Sequence, residues 1–125
     1  MSRILVLLLT TALLAGCVYP GGIAGSGKVI TEEKEFTGFD KVEVGSAFTT
    51  GITQDEAFSI VIQIDENLAR YLKVVQDGDT LKIYLDMGVS FSLRGNNTLQ
   101  ARITLPELTG LKLSGASRGT ISGFK

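Results

Sequence analysis

The apolar residues of this chain recur at every second position, in runs too short for anything but β-strands. Phe58, Ile60, Ile62 and Ile64 alternate with Ser59, Val61 and Gln63. Leu81, Ile83 and Leu85 alternate with Lys82, Tyr84 and Asp86, and Ala101, Ile103 and Leu105 with Arg102 and Thr104. A period of two sends successive side chains to opposite faces of a pleated strand, so each run turns one face to a core and one to water. Val42 and Val44 flank Glu43, Leu111 and Leu113 flank Lys112, and Phe48, Thr50 and Ile52 suggest a further short strand. Lys28 to Phe36 is strand-like but charged, which suits a sheet edge. Asp77-Gly78-Asp79 between two such runs reads as a hairpin turn, because Gly accepts positive φ. Gly95-Asn96-Asn97 marks a loop. Fifteen Gly against two Pro fit a chain of tight turns. One short helix is predicted over Glu66 to Lys73. Asp65 would cap it, and Leu68, Tyr71 and Leu72 would share its apolar face. At about two turns it would need the sheet for support.

A weak internal repeat runs through the strands. Val42-Glu43-Val44-Gly45-Ser46-Ala47 lines up with Leu111-Lys112-Leu113-Ser114-Gly115-Ala116, and Ile52 and Ile121 stand at the same distance from each start. Small residues at a recurring corner suit a stacked β-coil, whose neighbouring corners lie close together. Two unrelated hairpins would share the same pattern, so spacing alone leaves repeat and coincidence open. The chain stops part-way through the second unit with no polar cap. Either another chain covers that end or the sequence is shorter than its relatives.

The N-terminus sets the location. Ser2-Arg3 is a short basic start, and Ile4 to Leu14 is apolar apart from Thr10 and Thr11. That run is too short for a bilayer-crossing helix, which needs ~20 residues, but it suits a secretory signal. Leu14-Ala15-Gly16-Cys17 resembles the lipobox of bacterial lipoproteins, and Cys17 is the single cysteine of the chain. The resemblance implies cleavage between Gly16 and Cys17 and a diacylglyceryl group on the Cys17 thiol, with a palmitate-type acyl chain on the new amine. Two or three chains anchor a protein stably where one does not. Val18, where inner-membrane lipoproteins usually carry Asp, leans toward the outer membrane if the host has one. The expected division is a signal peptide over 1–16, the lipidated Cys17 with a Gly-rich flexible tether over 17–27, and a β-rich domain over 28–125.

The stretches GSGKVITEEKEFTGFDKVEVGSAFTTGITQ, FSIVIQIDENLARYLKVVQDGDTLKIYL and ARITLPELTGLKLSGASRGTISGF resemble the GIN-domain head of putative autotransporter adhesins, which are secreted or lipid-anchored envelope proteins of bacteria. The likeness spans roughly Gly25 to Phe124. It implies an all-β fold wound into a right-handed, β-helix-like stack of short strands, and relatives continue through further LSGAS-like units. It implies no established activity.

The residues exclude several chemistries. The chain has no His, so a Ser-His or Cys-His nucleophile is ruled out, and zinc is disfavoured without His or a free thiol. Gly22, Gly27 and Lys28 match part of a phosphate-loop pattern, but Val29 stands where Ser or Thr is needed. Asp77 with Asp79, and Glu32, Glu33 and Glu35, read as a solvated hairpin and a solubilising edge. Asn96-Asn97-Thr98 reads as a loop. Net charge is −1, so composition points to no nucleic-acid partner. The hydroxyls of Thr49, Thr50, Thr53, Ser114, Ser117, Thr120 and Ser122 could line β-faces, with Tyr84 and Phe91 as the nearest aromatics. The reading is a non-catalytic, lipid-anchored envelope protein, an adhesin or scaffold for a glycan or surface protein, with no cofactor and no metal. A carbohydrate-active enzyme on a β-helix and a periplasmic interaction partner are the alternatives.

Overall fold

The computed structural model describes residues 22–86, 88, 90–91, 98–115 and 117–124. Gly16, Cys17, Asn96 and Asn97 lie outside them. In chain order the strands are β1 (Val29–Lys34), β2 (Lys41–Val44), β3 (Thr49–Gln54), β4 (Ser59–Asp65), β5 (Leu72–Asp77), β6 (Thr80–Leu85), β7 (Leu99–Leu105), β8 (Gly110–Leu113) and β9 (Arg118–Ser122). They form two sheets, β1-β4-β7-β3-β9 and β5-β6-β2-β8. The all-β expectation therefore holds.

The alternating residues meet between the sheets. Val42 and Val44, Ile60, Ile62 and Ile64, Leu81, Ile83 and Leu85, and Ala101, Ile103 and Leu105 are all buried in one cluster with Phe39, Phe48, Ile52, Leu68 and Leu99. Among the described residues the charged run at β1 pairs only with β4, at the edge of its sheet, as the sequence suggests.

The repeat is also physical. β2 lies parallel to both β6 and β8, and β3 parallel to both β7 and β9. Three two-strand rungs therefore lie side by side: β6 with β7, β2 with β3, and β8 with β9. The register pairs Val42 with Leu111 and Ile52 with Ile121, as the sequence alignment does. Between β2 and β3 the chain passes from one sheet to the other through Ser46 and Ala47, both left-handed at φ 59° and 67°. The matching corner of the next rung uses Gly115 at φ 64°. A Cβ on Gly115 would stand 3.4 Å from the Ser46 backbone nitrogen, so these corners touch. Among the described residues β8 and β9 pair on one side only, and Leu113 and Ile121, aligned with core positions, are 37% and 48% exposed.

The predicted helix is replaced by one turn of 3₁₀-helix, Ala69–Tyr71, and Leu72 and Lys73 belong to β5. The cause is where Asp65 directs its carboxylate. Instead of capping the local turn, it accepts the backbone N–H groups of Gly27 (2.8 Å) and Thr98. With the cap diverted, the alternation of Leu72 to Asp77 prevails and pairs with β6, Leu72 opposite Leu85. Asn67 adds a second tie: it accepts from the Ser26 N–H at 2.8 Å and donates to the Ala24 carbonyl at 2.7 Å. Residues 23–27, at the end of the segment expected to be a tether, thus lie against the body.

Among the described residues, Thr50 is the one core position where polarity lacks an answer. It points inward, aligned with Ala101 and Gly119, is 1% exposed, and its hydroxyl has no partner among the described residues. A buried hydroxyl left unpaired costs about 1–3 kcal/mol, part of which an isosteric apolar side chain restores. Thr50→Val is expected to raise stability by about 1 kcal/mol, seen as a higher urea midpoint at unchanged slope.

Candidate functional site

A recess lined by side chains of three strands lies on the outward face of the four-stranded sheet. Alternation that buries Val44 and Ile83 turns Glu43, Lys82, Tyr84 and Lys112 out to solvent. Parallel register then aligns them across strands. Lys82, Glu43 and Lys112 form one row. The ladder continues past the strand ends through Gly45 N–H to the Ile83 carbonyl and Ser114 N–H to the Val44 carbonyl, each 2.9 Å. That places Tyr84, Gly45 and Ser114 in a second row. Lys73 is paired with Tyr84 from β5 and is exposed.

Gly45 makes the recess. Tyr84 stands on one side of it and Ser114 on the other. A Cβ at Gly45 would lie 3.2 Å from the Ser114 Oγ and 3.7 Å from the Tyr84 Cβ. The resulting trough has a volume of about 350 Å³ and is walled by Glu43, Lys82, Tyr84, Lys112 and Ser114. Its charges are loosely held. The Glu43 carboxylate lies 3.8 Å from Lys82 and 3.7 Å from Lys112, both beyond hydrogen-bond length. Lys82 also reaches Asp77 at 3.4 Å. Exposed pairs of this kind contribute ~0–1 kcal/mol to the fold, so they are free to be exchanged for a ligand. A larger cavity of about 460 Å³ at Gln54, Pro106, Glu107, Leu108, Gly123 and Phe124 offers a single charged side chain.

The residues singled out by sequence scatter. Tyr84 is in the trough with Ser114. Phe91 is held edge-on against Tyr71, ring centres 5.4 Å apart, and offers no platform. Thr50 is in the core. Thr49, Thr53, Thr120 and Ser122 are exposed on β3 and β9 of the other sheet, where the Thr53 and Ser122 hydroxyls lie 3.4 Å apart. The Ser117 hydroxyl reaches the Ser114 and Val44 carbonyls at 2.6 and 3.1 Å and so ties one corner to the next.

Asp79 at the hairpin accepts from Lys41 at 2.9 Å, and Asp40 from the same ammonium at 3.3 Å. The Lys41 hydrogen bond holds the Asp79 carboxyl below its usual range, and the Asp79 bond, then Asp40's, raises Lys41. The Gly27 and Ser26 N–H groups, part of the apparent phosphate loop, are taken by the chain's own Asp65 and Asn67. Among the described residues no three of His, Cys, Asp or Glu gather as a metal site would require. Glu43, Lys82 and Lys112 do not stand out in the sequence as site residues. The signal was present in the repeat, which sets Glu43 and Lys112 at equivalent positions.

The family described as "Putative auto-transporter adhesin, head GIN domain" matches residues 38–124. No curated protein matches the sequence. The fold resembles a crystal structure of a putative adhesin from Parabacteroides merdae ATCC 43184, with TM-score 0.70, 19% identity, and coverage of 83% of this chain and 42% of that one. A putative adhesin from Bacteroides fragilis NCTC 9343 gives TM-score 0.67 at 24% identity over 83% of this chain and 47% of that one. A putative lipid binding protein from Parabacteroides distasonis ATCC 8503 gives TM-score 0.70 at 29% identity over 80% and 43%. The chain spans less than half the length of each.

Proposed function

This chain belongs to the family of the putative auto-transporter adhesin head GIN domain, and on that premise we propose that it is a non-catalytic binding module of the bacterial envelope. In this reading Cys17 carries the lipid, Gly16 is the last residue removed, and the β-domain presents its outer faces to a glycan or surface protein. Lipid enters as the anchor on Cys17. In the same reading β6–β7, β2–β3 and β8–β9 are three coils of a right-handed stack, to which β1, β4 and β5 are added by antiparallel pairing.

One observation carries the binding role. Three parallel strands bring polar side chains from distant parts of the sequence into register around a recess at Gly45. A glycosidase would need two facing carboxyl groups, whereas this recess presents Glu43 between two lysines. The lipoprotein signal supports the location, since a basic start, an apolar run and a small-residue box end at the single cysteine.

Two measurements test the reading. Labelled palmitate is expected to enter the wild-type chain in cells and to be absent from Cys17→Ser. An intact amino-terminal methionine with no acyl chain on the native protein refutes the anchor. The full chain in detergent is expected to bind on a glycan array or to capture one envelope protein, without turning over any polysaccharide. Hydrolysis or lyase cleavage of a polysaccharide refutes the non-catalytic role.

A further inference from the structure

We propose that the Gly45 trough binds a saccharide bearing carboxylate groups, a sugar of the uronic-acid class. This deepens the proposed binding role by naming the ligand chemistry and the residues that read it.

Charge gives the first argument. The molecule as a whole is close to neutral, yet Lys82 and Lys112 line the trough with Glu43 as its one carboxylate, Lys73 is paired in register with Tyr84, and Asp77 meets Lys82 from outside. The Lys112 side chain is 73% exposed, and its nearest carboxylate among the described residues is too distant for a hydrogen bond. Its ammonium is available to a ligand carboxylate with little to give up in exchange.

Shape gives the second. Tyr84 lines the recess beside Gly45, a position that has no side chain. A pyranose ring has an apolar C–H face that lies against an aromatic and a rim of hydroxyls that needs polar partners. Both are here, since Ser114 and Glu43 border the same gap. The volume of about 350 Å³ is at the small end of ligand sites, which run ~300–1,000 Å³, and suits a short stretch of sugar.

The mixture of signs gives the third. Glu43 in the middle of the row repels a ligand whose every group is anionic, as in a run of acidic peptide. It accepts hydrogen bonds from sugar hydroxyls while the flanking lysines take the carboxylate.

The test is calorimetric titration of the full chain in neutral detergent with trigalacturonate, maltotriose and triglutamate. Trigalacturonate is expected to bind, more weakly as salt rises, because exposed charges are screened within ~10 Å at 0.1 M. Tyr84→Ala is expected to weaken it about tenfold or more, as loss of a central aromatic contact does. Lys112→Gln should weaken it about fivefold and flatten the salt dependence. Gly45→Val should abolish binding by filling the gap. Tyr84 and Lys112 are surface residues, so these two variants stay informative if Gly45→Val fails to fold. Lys28→Gln, outside the trough, should bind as wild type. Equal affinity for maltotriose or triglutamate overturns the proposal, as does wild-type affinity in Tyr84→Ala. If trigalacturonate fails to bind but the array shows another ligand, this inference falls and the binding role stands. If nothing binds in either experiment, both fall.

Discussion

Asp65→Ala is expected to destabilise the domain by about 3 kcal/mol, a large share of the ~5–15 kcal/mol that a native domain possesses. Asp65 is 0% exposed and its carboxylate receives two backbone donors from opposite directions, Gly27 before β1 and Thr98 at the start of β7. The surrounding backbone depends on the same arrangement. Asp65 N–H donates to the Thr98 carbonyl at 3.3 Å, and Glu66 N–H to the Lys28 carbonyl at 2.7 Å. Hydrogen bonds to a charged group contribute about 1.5–3 kcal/mol each, and a donor stranded away from water adds its own penalty. Asp65→Asn retains one acceptor oxygen, so it should lose about half as much. Urea unfolding measures both. Hydrogen exchange separates this reading from general core damage: the Gly27 and Thr98 amides should lose protection in Asp65→Ala well before Ile62 does. Uniform loss across the sheet would show that Asp65 is not the local tie described here.

Phe48→Ala is expected to cost about 3–5 kcal/mol, the usual range for emptying a buried aromatic site. Phe48 is 0% exposed where the chain leaves the β2 corner for β3, and its carbonyl accepts the Arg118 N–H at 2.8 Å. The two left-handed residues ahead of it fix the backbone, so the site has little freedom to collapse around the void. For a domain of this size each kcal/mol moves the melting temperature by roughly 4–8 °C, so a drop of at least about 12 °C is expected in a thermal scan. The corresponding position in the next rung is Ser117, half-buried and hydrogen-bonded. Ser117→Ala should cost about 1 kcal/mol. The contrast between the two corners checks that Phe48 acts through packing and not through the turn itself.

The strands were legible because a two-residue period leaves few choices. Ile60, Ile62 and Ile64, or Leu81, Ile83 and Leu85, can share a face only in extended chain. The stack was half legible. Matching Val42–Ala47 to Leu111–Ala116 anticipates their pairing, but nothing near β6 or β7 in sequence announces that they lie on the opposite side of the same rung. That pairing is decided by contacts between distant segments, and local pattern carries no trace of it. The helix over Glu66 to Lys73 failed for the same reason: Asp65 is a good cap by type, and distant N–H groups took it. The candidate site needed three dimensions. Tyr84 was visible as an aromatic on an outward face, and Gly45 as a small corner residue. That the two are neighbours, with Lys82, Glu43 and Lys112 aligned beside them, follows from register alone.

The position of β3 in its sheet has a consequence for how the molecule is assembled. Both its partners, β7 and β9, are encoded after it. A nascent chain that has grown no further than Asp86 holds β3 with nothing to pair against, and one that ends at Leu105 holds it by a single side. Pairings across such distances in the sequence form slowly. β3 is therefore secured late, on one side by β7 and then on the other by β9. Until both have formed, β3 presents unpaired backbone N–H and C=O groups that any other strand can use.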